Sequence, residues 1–175
     1  TGFTDVADNA YYKEAVDWAV AQGVTSGMSA TLFAPNASCT RAQAVTFLWR
    51  ANGSPEPSAT DNPFADVSAG DYYYKAVLWA VESGITQGVS ASSFAPNTTV
   101  SRAQTVTFLW RASGKPAGGA ASPFADVSAD DYFSGAVVWA AGKGVTSGTS
   151  AGTFTPNASC TRAQTVTFLY RYMGK

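Results

Sequence analysis

The chain has no histidine, only two cysteines among its 175 residues, and a charged fraction of 13%, well below the ~25% of an ordinary soluble domain. Each shortage excludes a class of chemistry. Without histidine, a common zinc site lacks its usual ligand and a Ser or Cys nucleophile lacks its usual base. The 11 basic and 12 acidic residues leave a formal net charge of −1, so no basic excess directs the chain to nucleic acid or to an anionic membrane surface. No apolar run approaches the ~20 residues of a membrane span, and membrane insertion is not expected. No secretory leader opens the sequence, so a secreted protein would be represented here in mature or excised form. No metal and no cofactor are expected. What the chain has in quantity is aromatic residues, 13%, together with Ser, Thr, Asn and Gly, a balance that accompanies extracellular, sugar-facing proteins.

The strongest feature is threefold self-similarity. Phe3-Thr4-Asp5-Val6, Phe64-Ala65-Asp66-Val67 and Phe124-Ala125-Asp126-Val127 open three units, and Trp18-Ala19, Trp79-Ala80 and Trp139-Ala140 follow at equal offsets. Then come Gly27, Gly88 and Gly148, Phe33, Phe94 and Phe154, Pro35, Pro96 and Pro156, and a stretch that reads CTRAQAVTFLWR, VSRAQTVTFLWR and CTRAQTVTFLYR. The units span 1–53, 63–114 and 123–175. Between them, 54–62 and 115–122 are rich in Pro, Gly and Ser and read as flexible linkers. Cys39 and Cys160 hold equivalent positions, and Val100 holds the third. A slot that also takes valine suits a buried thiol better than a disulfide or a metal pair.

Each unit is predicted to be helix, loop, helix, and the fold mostly α. The first helix is expected over 11–22, with Tyr12, Val16, Ala19 and Val20 as its apolar stripe and Gly23 as its C-terminal stop. Tyr11 and Trp18 share one flank of that helix, as do Tyr72 with Trp79 and Tyr132 with Trp139. Two readings stand for this flank: packing against the neighbouring repeat, or one wall of a sugar groove made by Trp18, Trp79 and Trp139. A short strand is expected at 24–25. Gly27, Gly88 and Gly148 suit a positive φ or a close approach. Ser29, Ser90 and Ser150, just beyond, are either turn residues bonding their own backbone or the polar lip of a pocket.

The second helix opens with a capping box, Thr40 with Gln43, Ser101 with Gln104, Thr161 with Gln164. Ala42, Val45, Leu48 and Trp49 form a core stripe and Phe47 lies opposite, so the helix is expected to be central. Arg41, Arg102 and Arg162 stand at its first position, where the helix dipole disfavours a cation. They serve either to bind an anion, aided by free helix N–H groups, or to pair with Asp5, Asp66 and Asp126. An enzyme is not expected: Asp71 and Asp131 align with Ala10, so no acid pair recurs in all three repeats.

The pattern F-x-D-V, W-A, G-[VI]-T-x-G, F-x-P and [TS]-R-A-[EQ], repeated in order across the three units, resembles the S-layer homology domain. That resemblance implies a pseudo-threefold, mostly helical assembly with grooves between repeats. It implies non-covalent anchoring to the bacterial cell wall as part of a larger surface protein. The ligand it implies is a secondary cell-wall polysaccharide ending in pyruvylated N-acetylmannosamine, with Arg41, Arg102 and Arg162 in the grooves. The family's motif Glu is Gln here, at Gln43, Gln104 and Gln164, which removes a negative charge beside each arginine. The binding residues expected are those arginines and glutamines, the three tryptophans, and the glycines and serines named above. The isolated module is expected to be a monomer. The alternative is a structural or protein-interaction module that keeps the fold without binding glycan.

Overall fold

A computed structural model describes residues 2–119 and 121–174 of the chain. Six helices follow one another: α1 (Lys13–Ala21), α2 (Arg41–Ala51), α3 (Tyr74–Glu82), α4 (Arg102–Ala112), α5 (Ser134–Gly142) and α6 (Arg162–Met173). Among the described residues, extended structure is limited to isolated bridges. The strand expected at 24–25 does not form. Val24 is instead consumed by the helix stop: Gly23 takes φ +69°, its N–H donates to Val20 O (3.0 Å), and the Val24 N–H donates back to Ala19 O (2.8 Å). This is the Schellman arrangement, which uses the backbone groups a strand would need. The same bonds recur at Gly84 and Gly144. α1 starts two residues later than the expected position 11, with Tyr12 as an N-cap that makes no side-chain bond to the first turn.

The capping boxes are present at α2, α4 and α6, with Thr40, Ser101 and Thr161 accepting the amides of Gln43, Gln104 and Gln164. These three helices touch one another about the molecular centre, and each is covered on its outer side by the first helix of the next repeat: α3 on α2, α5 on α4, and α1 on α6. The main helix pairs therefore run between repeats and close into a ring; within a repeat, Trp139 of α5 still meets Tyr172 of α6. Val45, Val106 and Val166 are fully buried at its heart, as are Phe33, Phe94 and Phe154 under the loops. Each such phenylalanine contributes about 1.5–3 kcal/mol of apolar burial.

At one end the ring is sealed by backbone. The Cys39 N–H donates to Cys160 O (2.8 Å), Cys160 N–H to Val100 O (2.9 Å) and Val100 N–H to Cys39 O (2.9 Å). Both cysteines are free thiols, fully buried, and the threefold site explains why valine substitutes for them. The connector expected to be loose is tied down. Trp49 Nε1 donates to Pro55 O (2.8 Å), Glu82 accepts the amides of Ser58 and Ala59, and Lys75 pairs with Glu56. Trp110 does the same with Pro116 O (2.9 Å). Tyr170, at the equivalent place in the last repeat, packs its ring on Trp18 and donates its hydroxyl to Glu14. Among the described residues, no helix is long and apolar enough to cross a membrane.

Candidate functional site

The site is built on the Phe-x-Pro turn of each repeat. Ala34, Ala95 and Thr155 hold φ near +57° (58°, 56° and 58°), a left-handed backbone that costs a side-chain-bearing residue roughly 1–2 kcal/mol. A carboxylate fixes each one. Asp5 accepts the N–H of Phe33 (2.9 Å) and of Ala34 (2.7 Å); Asp66 and Asp126 do the same for Phe94–Ala95 and Phe154–Thr155. Desolvation pushes the Asp5 carboxyl up, but these amides and the charge of Arg162 outweigh it and hold it below the ordinary carboxylate value. Asp126 is lowered chiefly by the Phe154 amide.

The carbonyl of the same phenylalanine goes to an arginine of the preceding repeat in the ring. Arg162 Nε donates to Phe33 O (2.9 Å), Arg41 Nε to Phe94 O (2.8 Å) and Arg102 Nε to Phe154 O (2.9 Å). Each guanidinium lies between two rings, Arg162 at 4.9 Å from the Phe33 centroid and 5.3 Å from that of Phe47. The three arginines are only 3–4% exposed. Two sequence expectations are thereby corrected. Arginine and aspartate do not form an ion pair among the described residues; they hold opposite sides of one phenylalanine, N–H and C=O. Nor are the first helix amides free. Arg41 N–H donates to Thr98 O and Ala42 N–H to Pro96 O, and the other two helices repeat this with Ala158 and Pro156, and with Ala37 and Pro35. The neighbouring loop has taken the place an anion would need.

What is left over is on the guanidinium. Nη2 of Arg41, Arg102 and Arg162 is buried and makes no hydrogen bond to protein. A buried unpaired donor is costly, more so when charged. Arg162 and Arg102 line grooves of about 280 and 340 Å³, at the small end of the range for ligand sites. Around Arg162 stand Gly27, Met28, Gln43, Arg50 and Tyr72. Around Arg102 stand Gly148, Thr149, Gln164, Arg171 and Tyr11. The third set repeats the theme, with both Arg41 and Arg111 close enough to Tyr132 to counter the desolvation that raises its pKa. Both grooves draw their buried arginine from one repeat, their floor from the next and their tyrosine from the third, and Arg41, Arg111 and Tyr132 come from the three repeats in the same order.

The second arginine of each repeat is the last letter of the twelve-letter stretch whose third letter is the first. Arg50 Nη1 donates to Val24 O (3.3 Å), Arg111 to Ile85 O (3.0 Å) and Arg171 to Val145 O (3.2 Å). Sequence reasoning passed over these arginines. The signal was there: they recur nine positions after the first, on the polar side of a buried helix. For the sugar wall, sequence reasoning named the tryptophans, where the structure exposes the tyrosines; the tryptophans take the packing reading of that flank. Trp79 and Trp139 are buried, Trp18 is partly covered by Tyr170, and none lines either groove. Tyr11, Tyr72 and Tyr132 are 65%, 59% and 61% exposed.

Gln43 spends Oε1 on the Thr40 amide (3.2 Å), and its Nε2 lies 3.9 Å from Met28 Sδ at the groove edge. The motif glutamine thus offers a donor to the groove where glutamate would offer charge. Gly27, at φ +90°, lets Phe3 approach: a Cβ there would fall 2.5 Å from the phenylalanine ring. Its place is fixed by packing as well as by the groove. Ser29, Ser90 and Ser150 are exposed and accept, at long range, the amide two residues on. They do not line the two grooves; Ser26 and Ser147 do.

The family model for the S-layer homology domain matches residues 2–45, 63–106 and 123–166. The chain is 37% identical over 87% of its length to a surface-layer 125 kDa protein of Lysinibacillus sphaericus, of which it covers 13%. It is 28% identical over 99% of its length to exoglucanase XynX of Acetivibrio thermocellus, covering 16% of that protein. It is 33% identical over 65% of its length to a cell surface protein of Thermoanaerobacter kivui, again covering 16%. The chain thus spans a small fraction of the relatives it matches. With three matched segments, each carrying the aspartate, the Phe-x-Pro turn and the capped arginine, the chain belongs to the S-layer homology domain family, a family of the bacterial cell surface.

Proposed function

We propose that this chain is a non-catalytic module that anchors a larger surface protein to the bacterial cell wall by gripping an anionic secondary cell-wall polysaccharide in the grooves between its repeats. The observation that carries this reading is the buried guanidinium Nη2 with no protein acceptor, present three times, beside a second arginine and an exposed tyrosine. Two cations at one groove call for an anion, and a carboxylate is the acceptor whose planar geometry suits a guanidinium edge. A sugar ring carrying that carboxylate, as a pyruvylated N-acetylmannosamine does, gains C–H contact with the flat tyrosine face. Gln43, Gln104 and Gln164 strengthen the case, because they add donors and no competing charge.

The test is co-sedimentation with purified Gram-positive cell walls. Arg50→Gln, Arg111→Gln and Arg171→Gln combined should lose most retention at low salt while keeping the helical circular dichroism signal. These arginines are the ones to change first. Arg41, Arg102 and Arg162 are buried between phenylalanine rings as well as bonded to the Phe-x-Pro carbonyls, so their loss would disturb folding more than loss of the half-buried Arg50, Arg111 and Arg171. Retention equal to the wild type would overturn the reading. A partner protein captured without any glycan retention would favour the alternative of a structural module, to which the exposed Met28, Leu32 and Val89 lend an apolar surface.

A further inference from the structure

The groove at Arg102 does not stop at Arg171. On the other side of that side chain lies a second open cleft of about 560 Å³. Thr146, Ser147 and Arg171 line both. Beyond them the second cleft is floored by Pro123 and Phe124 and walled by Ala141. The two spaces are therefore consecutive along one path, with a guanidinium between them. Their characters differ. The first is closed by a buried arginine and a glutamine; the second mixes an apolar floor with hydroxyls at its edge. That mixture, a hydrophobic surface with a few placed polar groups, is what a pyranose needs on its two kinds of face.

The geometry points to an extension subsite for carbohydrate between Phe124, Ala141 and Arg171, taking the sugar units that follow the charged terminal sugar held at Arg102. The occupant is the continuing chain of the same polysaccharide; this rests on the groove reading above. Ala141 helps to make it. The equivalent residues are Val81 and Val20, each larger by two methyl groups. In the last repeat this smaller wall residue leaves room for a longer stretch of glycan. Arg171 serves both spaces: its Nη1 is anchored on Val145 O, and an arginine has further N–H donors to offer on either side.

The experiment uses the intact protein, isotope-labelled, and two probes: pyruvylated N-acetylmannosamine alone, and a short fragment of wall polysaccharide ending in that sugar. The amide signals of Gly148, in the first space, and Gly144, in the second, are followed by NMR. Gly148 should move with both probes and Gly144 with the fragment alone. The fragment should bind the wild type more tightly than the single sugar, and Ala141→Val should cut that advantage roughly tenfold without changing the affinity for the single sugar. Valine is accommodated at this place in the other two repeats, so the variant should fold. A fragment that moves Gly148 but leaves Gly144 still, or an advantage that survives Ala141→Val, overturns the subsite and leaves the groove reading intact. If Gly148 moves with neither probe, the groove reading itself fails, and the subsite with it.

Discussion

Two residues of the twelve-letter stretch were read differently by sequence and by structure, and both differences are local physics. Arg41 stood out because a cation at a helix start is unfavourable, and in the fold its side chain is buried on Phe94 O. What the sequence concealed was its partner, since Phe94 lies 53 positions away. Arg50 drew no notice because a basic residue in a last turn is favourable and asks for no explanation. The family segments, which end at residues 45, 106 and 166, stop short of it and its equivalents. Gln43 gives a sharp residue-scale test. Gln43→Glu, Gln104→Glu and Gln164→Glu together keep the capping box but set a carboxylate at each groove edge. Wall-glycan affinity should fall by about three- to tenfold at low salt, the equivalent of ~0.7–1.4 kcal/mol; calorimetry showing equal or tighter binding would contradict the idea that glutamine leaves the arginines freer for an external anion. The thiols give another. Burial pushes the Cys39 thiol up to about 12, with nearby Cys160 adding to the rise, so almost no thiolate exists at neutral pH. Iodoacetamide should leave the native protein unlabelled for hours and label both cysteines promptly in guanidinium, as read by mass spectrometry. Fast native labelling would mean that the threefold seal opens.

Among the elements, helices and caps were legible because their rules span only a few positions. The capping boxes, the glycine stops and the central place of α2, α4 and α6 all followed from spacing. The strand expected at 24–25 failed for an equally local reason, the Schellman bonds at Gly23. The Phe-x-Pro turn was the illegible element. Nothing in Phe33-Ala34-Pro35 announces a left-handed alanine, and its stabiliser, Asp5, comes from far upstream. That clamp predicts acid behaviour. Asp5, Asp66 and Asp126 all titrate below the ordinary carboxylate value when folded. Their contribution is complete above the unfolded value of ~3.9 and is lost as pH falls through the lower folded values. The thermal midpoint should therefore be flat near neutrality and drop below about pH 4. Replacing all three with Asn should lower the neutral plateau and flatten the acid limb. An acid limb parallel to that of the wild type, followed by scanning calorimetry, would show that the carboxylates do not carry it.

Taken whole, the molecule shares its grooves among three repeats and its main helix pairs between two. Sequence periodicity showed the repeats but could not show this exchange, because which copy a helix packs against depends on closure of the ring. The consequence for truncation is steep. Deleting residues 123–175 removes the Arg162 of one groove, the floor of the second and the Tyr132 of the third, and strips the partners from α1 and α4. Such a fragment should lose all wall retention, not a third of it, and should show no cooperative thermal transition. Retention of even one functional groove would mean that repeats act independently.

The pairing of α1 with α6 also frees the molecule from its own reading order. The seam between last repeat and first is packed like the two seams that carry a connector, so the covalent path is only one of three equivalent ways around the circle. Cutting the connector at 54–62 and joining the old ends by a short linker makes a circular permutant with the same neighbours throughout. It should fold and bind like the parent, and the tether to a host protein could then leave from any of three corners.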